Sequence, residues 1–161
     1  MPLLPSPCSV LGRQFLPTIK KCAASVQAQA VLDFGPVFLP EGNGCQRIGL
    51  DSGAGGEMSL AVSCFGLSLL AREELAQLLH TIHEASPFVL FADFKVAERN
   101  IEAPACLLMS GLRRLAPASA GCFNTYGGLE GLLYAERTCF QVLERHSLLG
   151  GSLSCVLARC L

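Results

Sequence analysis

The chain has 161 residues, of which 51% are hydrophobic and 16% are charged, and its formal net charge is −1. This length and apolar content predict one domain over 1–161 with a single buried core, and they exclude a disordered tail. No run of Lys or Arg exceeds two residues, so the charge pattern excludes nonspecific nucleic-acid and anionic-membrane partners.

The apolar segments are too short to cross a membrane. Met58 to Leu70 is interrupted by Ser and Gly and falls short of the roughly 20 residues that a spanning helix needs. The first ten residues contain three prolines and no positive charge, which is unlike a secretory signal peptide. We therefore predict no membrane span and a cytoplasmic location.

Nine cysteines are scattered through the chain, and no two of them are separated by only two residues. An odd number without paired spacing favours buried, reduced thiols over a disulfide framework. The three histidines add no His-Cys set with zinc-like spacing, so we predict no metal site.

The N-terminal part is predicted to be an irregular arm over 1–10, because it is rich in proline, followed by a helix. Apolar residues recur at three- and four-residue steps from Phe15 to Val26, with Pro17 suited to the first helical turn. Ala28 to Phe34 is a short apolar run closed by Gly35-Pro36, which predicts a buried strand that ends in a turn.

The next segment, 37–57, contains six glycines and a proline. Because each interior glycine would cost a helix about 1 kcal/mol, we predict a Gly-rich loop, with a short strand at Arg47 to Leu50. Met58 to Leu69 then begins with strand formers and leads towards a helix.

The middle of the chain continues this alternation of strand and helix. Ala71 to Ala85 carries one apolar helical stripe, with acidic residues in its first turn. After Ser86-Pro87, which stops the helix, the continuous apolar run Phe88 to Phe94 predicts a parallel strand that is buried on both faces.

The C-terminal part is predicted to contain helices at Ala103 to Leu115 and Gly128 to Glu136, followed by a hairpin. Its two strands, Cys139 to Arg145 and Ser152 to Arg159, are joined through Gly150-Gly151, which readily takes the positive φ of a hairpin turn. The fold class is therefore α/β, with a mainly parallel Rossmann-like sheet, flanking helices and a C-terminal antiparallel hairpin.

This pattern resembles the C-terminal half of class I (Rossmann-type) S-adenosylmethionine (SAM) dependent methyltransferases. Leu60 to Leu70 is similar to the fourth strand of the family and the entry to its helix, and PFVLFADFKVAERN (Pro87 to Asn100) is similar to the fifth strand. GGLEGLL (Gly127 to Leu133) and the closing hairpin resemble the last helix and strands. The resemblance implies SAM as cofactor and a small-molecule acceptor.

The N-terminal half fits the family less completely. The cofactor motif of the family is a strand with a terminal acid and a glycine-rich turn, and AVLDFGP (Ala30 to Pro36) matches it at Asp33 and Gly35. Bulky residues at 37–39 then replace the further small residues of the motif. The resemblance therefore implies a shortened or degenerate cofactor half.

Two placements of Ala30 to Pro36 are open. As the first strand, it puts Asp33 and Gly35 under the cofactor, and RIGLD then resembles the second strand, with Asp51 on the ribose hydroxyls. As the third strand, it puts Asp33 and Leu39-Pro40 near the adenine, and the glycine loop is absent.

The resemblance and the strand ends also suggest catalytic candidates. Asp93 lies at the predicted carboxyl end of a buried strand, where ligands bind in open α/β sheets, although a helix cap or turn acceptor is an equal alternative. Arg99 and Asn100 follow and could line a substrate pocket, or form a solvated loop. His80 and His83 are interpreted as a surface pair, and His146 as a strand-end residue without a catalytic duty.

The resemblance implies methyl transfer from SAM to an unknown small acceptor. The alternative is an inactive or truncated methyltransferase-like domain that serves as an interaction module, and a dehydrogenase is a weaker alternative because such folds close with parallel strands. A shortened sheet would leave an apolar face or edge uncovered, which predicts a homo-oligomer.

Overall fold

A computed structural model of the chain describes residues 7–34, 45–47, 59–64, 66–94, 125–148 and 153–161. These residues form a six-stranded sheet with helices on both faces. The helices are α1 (Pro7–Ser25), α2 (Gly66–Leu69), α3 (Arg72–Ala85) and α4 (Gly128–Ala135). The strands are β1 (Ala30–Asp33), β2 (Cys45–Arg47), β3 (Ser59–Cys64), β4 (Phe88–Phe94), β5 (Phe140–Leu148) and β6 (Leu153–Cys160).

The strand order is β2-β1-β3-β4-β6-β5. Strands β2, β1, β3 and β4 run parallel, whereas β6 lies antiparallel to both β4 and β5. The mainly parallel sheet and the C-terminal antiparallel pair are confirmed. The antiparallel β6 also argues against a dehydrogenase-type sheet.

The position of β1 distinguishes the two placements of Ala30 to Pro36. In doubly wound sheets the first strand lies between the second and the fourth, and the third lies outside the second. Since β1 pairs with both β2 and β3, it occupies the place of a first strand. The first placement therefore agrees with the sheet order, and the third-strand placement is wrong.

Helix α1 is longer than predicted. It begins at Pro7 rather than at Phe15, so it includes the last residues of the predicted irregular arm 1–10, and Pro17 lies inside it rather than in its first turn. An interior proline removes one helical hydrogen bond. The helix continues because Phe15, Ile19 and Cys22 are buried against the sheet, and this packing outweighs the local propensity.

Strand β4 is the centre of the core, as predicted. Val89, Leu90, Phe91 and Ala92 are completely buried. Val89 and Phe91 pack on the face covered by α3 and α4, whereas Leu90 and Ala92 pack on the opposite face with α1. Burial on both faces explains why this segment is apolar throughout.

The remaining elements lie close to their predicted positions. The strand and helix of Met58 to Leu69 and the helices at Ala71 to Ala85 and Gly128 to Glu136 are present with small shifts of their ends. The strand predicted at Arg47 to Leu50 is observed as β2, slightly earlier in the chain. The predicted helix Ala103 to Leu115 and the turn at Gly150-Gly151 lie outside the described residues.

The hairpin strands carry an irregularity that sequence patterns did not predict. A β-bulge lies between Val142 and Glu144, so Val142 is opposite Ala158 and Glu144 is opposite Leu157. Val142 packs with the α3 and α4 face, whereas Leu157 belongs to the α1 face. Beyond the bulge, the side chains of β5 alternate in the opposite sense, so those of Glu144 and of the later even-numbered residues face α1.

The five cysteines in the described part of the chain are present as thiols. Cys22, Cys64 and Cys155 are buried, and Cys139 and Cys160 are half-buried. Among these same residues, no helix has the length and apolar character needed to cross a membrane.

Candidate functional site

The strand order favours a ligand site at the carboxyl ends of β1 and β3. The chain leaves β1 towards β2 on one side and leaves β3 towards β4 on the other, so the direction of winding reverses between β1 and β3. This place is the topological switch point of the sheet. In open α/β sheets, ligands bind in the crevice outside the carboxyl ends of the strands at the switch point. Asp33 and Cys64 end the two strands.

Asp33 is the predicted cofactor residue that the structure describes. It is the last residue of β1, is 5% exposed, and lies opposite Arg47 of β2 and Val62 of β3. The next residue continues this pairing, because the Phe34 N–H donates to the Val62 carbonyl at 2.8 Å. Asp33 is thus held at the switch point, whereas Gly35 and Asp51 lie outside the described residues.

Asp93 lies at the carboxyl end of β4, as predicted, but its carboxylate is engaged. It is completely buried, and its Oδ2 accepts a hydrogen bond of 3.0 Å from the Ser68 N–H in α2. This contact fits the turn-acceptor alternative, because it holds α2 against the end of the sheet. The other two catalytic candidates, Arg99 and Asn100, lie outside the described residues.

Replacing Asp93 by Ala is expected to lower the free energy of unfolding by about 2 kcal/mol, because the partly buried Ser68 N–H loses its acceptor. Urea unfolding followed by circular dichroism would measure the change. Asp93→Asn keeps an acceptor oxygen and should lose clearly less. An Asp93→Ala protein as stable as the wild type would show that this contact does not hold α2 in place.

Two buried hydroxyl groups near the same end of the sheet lack hydrogen-bond partners. They are the Oγ atoms of Ser63 in β3 and Ser68 in α2, and they are the unsatisfied buried side-chain N and O atoms of the described residues. At the opposite end of β3 the serines are satisfied: Ser86 Oγ donates to the Ser59 carbonyl at 2.7 Å, and Ser59 Oγ donates to the Ala85 carbonyl. Because unsatisfied buried polar groups are uncommon in native proteins, this contrast favours the carboxyl end as the place where polar groups meet a ligand.

Of the two histidines of α3, His80 lies on the surface as predicted, whereas His83 is half-buried and does not pair with it. His80 forms an exposed pair with Glu84, at 3.4 Å. His83 instead contacts the Leu161 carbonyl oxygen through Nε2 at 2.8 Å and packs edge-on against Phe140. The two rings therefore have separate partners.

His146 has partners that the sequence did not reveal. Its Nε2 lies 3.1 Å from Glu144 Oε2 and 3.9 Å from Cys22 Sγ. The three side chains form a group whose potential metal-ligand atoms all lie within 4.8 Å of one another. The prediction of no metal site rested on local spacing, and Cys22 is 124 positions away from His146.

Comparison with known proteins gives matches among solved structures. No protein-family model and no curated protein matches the chain. It is similar to magnesium protoporphyrin IX methyltransferase (ChlM) from Synechocystis PCC 6803 with bound SAH, at a TM-score of 0.53 and 11% identity over 96% of this chain and 86% of that one. SAH is S-adenosylhomocysteine, the product form of SAM.

Two further structures show the same likeness. The methyltransferase domain of bacterial-CtHen1-CN aligns at a TM-score of 0.55 and 15% identity, over 92% of this chain and 99% of that domain. The mitomycin 7-O-methyltransferase MmcR aligns at 0.56 and 14% identity, over 90% of this chain, which spans 54% of the MmcR chain. The chain therefore has the fold of class I SAM-dependent methyltransferases, which confirms the predicted fold.

Proposed function

We propose that the chain is a SAM-dependent methyltransferase that acts on a small acceptor. The observation that carries the proposal is the buried acid Asp33 at the end of β1, next to the switch point between β1 and β3. In the sheet order, β1 corresponds to the first strand of a methyltransferase, which ends at the cofactor. The unsatisfied hydroxyls of Ser63 and Ser68 near the same end of the sheet fit a polar ligand. A cytoplasmic location and a homo-oligomer stay predictions.

The proposed cofactor residues have separate roles. Asp33 would lie beside the turn, Gly35 would allow close approach of the backbone to the ligand, and Asp51 would bind the ribose hydroxyls. When bound, SAM supplies the activated methyl group. The chain would then need mainly to hold the acceptor in line, so a catalytic acid or base is not required.

The catalytic candidates fit this positioning role. Asp93 is fully buried and bound to Ser68, so it would act through the orientation of α2 rather than by contact with the acceptor. Arg99 and Asn100 follow β4 in sequence and are proposed to line the acceptor pocket. Asp93→Ala, which removes the acceptor of the Ser68 N–H, is therefore proposed to affect turnover more than SAM binding, whereas Asp93→Asn, which keeps an acceptor, should change turnover less.

An inactive domain that serves as an interaction module is the second candidate. It is favoured by the short connections of the first half: residues 34–44 join β1 to β2, and residues 48–58 join β2 to β3. Each is close to the minimum of roughly 10 to 12 residues for a parallel crossover with its helix. Val37, Phe38 and Leu39 also replace the small residues of the cofactor turn.

Isothermal titration calorimetry with SAM and with SAH would separate the two candidates. We expect weak binding that depends on the two acids, with Asp51→Ala weakening it about ten- to a hundredfold, because one charged hydrogen bond to a ligand contributes roughly 1.5 to 3 kcal/mol. Asp33→Ala should also weaken binding.

A matched control is Glu84→Ala, which removes an exposed acid of α3 that pairs with His80 and ends no strand. This variant should bind SAM like the wild type. The absence of any heat with SAM at millimolar concentration would favour the inactive module. Binding that is unchanged in Asp51→Ala would instead contradict the role of that residue at the ribose.

A further inference from the structure

The group Cys22, Glu144 and His146 lies on the α1 face of the sheet, where helix α1 meets edge strand β5. Cys22 belongs to the buried cluster that joins α1 to β3, β4 and β6. Glu144 and His146 come from β5, where they lie opposite Leu157 and Cys155 of that same cluster. None of these side chains ends one of the parallel strands, so the group is separate from the proposed SAM site.

The β-bulge is what aims the two β5 side chains at Cys22. Phe140 and Val142 pack on the α3 and α4 face, and strict alternation would place 144 and 146 on that face as well. The bulge reverses this order, so Arg145 instead reaches Glu130 of α4 at 3.2 Å, while Glu144 and His146 turn to α1. Bulges often re-aim side chains in this way next to functional sites.

The geometry favours a shared point rather than a proton relay. A Cys-His-Glu relay would use one ring nitrogen for the thiol and the other for the carboxylate. Here a single atom, His146 Nε2, is 3.9 Å from Cys22 Sγ and 3.1 Å from Glu144 Oε2. Three potential ligand atoms that converge from two elements resemble the arrangement around a metal ion.

The distances suit a small tetrahedral ion. With metal–sulfur and metal–nitrogen bonds of about 2.3 and 2.1 Å, the ligand atoms of a tetrahedral zinc ion lie roughly 3.3 to 3.6 Å apart. The thiol–imidazole distance of 3.9 Å and the imidazole–carboxylate distance of 3.1 Å lie on either side of that range. The third pair, Cys22 Sγ and a carboxylate oxygen of Glu144, lies within 4.8 Å, so it would have to close by up to about 1 Å, through rotation of the partly exposed side chains, for all three to bind one ion.

The surroundings leave a path for the ion. Cys22 is fully buried, but the side chains of His146 and Glu144 are 21% and 39% exposed. Burial, and then the charge of Glu144, raise the pKa of the Cys22 thiol, while Lys21 opposes them. A divalent cation would compensate the charge of the Glu144 carboxylate, which lies beside the thiol and the imidazole.

We propose that Cys22, Glu144 and His146 bind a zinc ion, with a water molecule as the fourth ligand. Zinc takes thiolate, imidazole and carboxylate ligands together in four-coordinate sites, whereas calcium and magnesium require oxygen ligands. Binding replaces the thiol proton of Cys22, which passes to the solvent. The ion fastens α1 to the edge strand β5 and so stabilises the folded chain.

The test uses the whole chain after treatment with a chelator, in a thiol-free reductant. Zinc is titrated against a chromophoric chelator, and cobalt(II) is used as a spectroscopic substitute. We expect one zinc per chain at this site, a thiolate-to-cobalt charge-transfer band, and a higher midpoint of thermal unfolding with zinc. The half-exposed positions allow His146→Gln and Glu144→Gln to fold, and each should weaken zinc binding at least tenfold.

Matched thiol variants assign the sulfur ligand. Cys22→Ser should remove the charge-transfer band of the site, whereas Cys64→Ser, which changes another fully buried thiol on the α1 face, should retain it. The Cys139→Ser/Cys160→Ser double variant should retain it as well. A band that survives in Cys22→Ser, or zinc affinity that is unchanged in both His146→Gln and Glu144→Gln, would overturn the proposal, as would the absence of zinc binding by the wild type.

Discussion

Replacing Phe91 by Ala is expected to lower the free energy of unfolding by about 3 to 5 kcal/mol. Phe91 is completely buried at the middle of β4, and its ring meets that of Phe140 edge-to-face at 5.6 Å between centroids. The substitution removes the buried ring and leaves a cavity between the sheet and α3. Since domains of this size are stable by only about 5 to 15 kcal/mol, urea unfolding should show a much lower midpoint.

The matched control for Phe91 is Phe88→Ala in the same strand. Phe88 is only partly buried at the start of β4, so its truncation should cost clearly less. A double-mutant cycle of Phe91→Ala with Phe140→Ala should give a coupling of about 0.5 to 1.5 kcal/mol, the usual contribution of an aromatic pair. Equal losses for Phe88→Ala and Phe91→Ala would contradict the central position of β4.

The strands were predictable because their burial leaves a clear trace in the sequence. A strand buried on both faces must be apolar at every position, and Phe88 to Phe94 fulfils this except at Asp93, whose carboxylate is satisfied by Ser68. The antiparallel terminal strands were predictable from the Gly-Gly pair in the sequence between two apolar runs. The likeness to the methyltransferase fold was predictable from the order of these elements along the chain.

The start of α1 was not predictable from local signals. Proline at positions 7 and 17 indicates an irregular arm and a late helix start, yet the helix begins at Pro7 and continues through Pro17. Its stability comes from the contacts of Phe15, Ile19 and Cys22 with distant strands, which local propensity does not contain. The bulge in β5 likewise depends on pairing with β6 rather than on its own residues.

The candidate sites differ in the same way. Acids at strand ends are visible in a sequence once the strands are known, so Asp33 and Asp93 could be named in advance. The group around His146 could not, because one ligand comes from α1 and two from a strand whose bulge sets their direction. The unsatisfied hydroxyls of Ser63 and Ser68 also have no sequence signal, since they are recognised only by what surrounds them.

Replacing Gly131 by Ala is expected to destabilise the chain by about 3 kcal/mol, the upper end of the usual range for overpacking. Helix propensity alone predicts the opposite sign, a gain of up to about 1 kcal/mol. The reason is the entry to α4, where Gly127 and Gly128 have φ angles of 81° and 80° and fold the chain back over the first turn. A Cβ at Gly131 would overlap the carbonyl oxygen of Tyr126 and lie 2.7 Å from its carbonyl carbon.

The obstacle to Gly131→Ala is backbone, so it cannot be relieved by a change of rotamer. A shift of α4 would disturb Leu129, Leu132 and Leu133, which cover the sheet. Ala135→Gly, at an exposed position of the same helix, is the matched control and should cost no more than about 1 kcal/mol, because it tests propensity alone. If urea unfolding showed Gly131→Ala to be more stable than the wild type, the carbonyl of Tyr126 would have to move without cost, and the tight helix entry would not be a constraint on this fold.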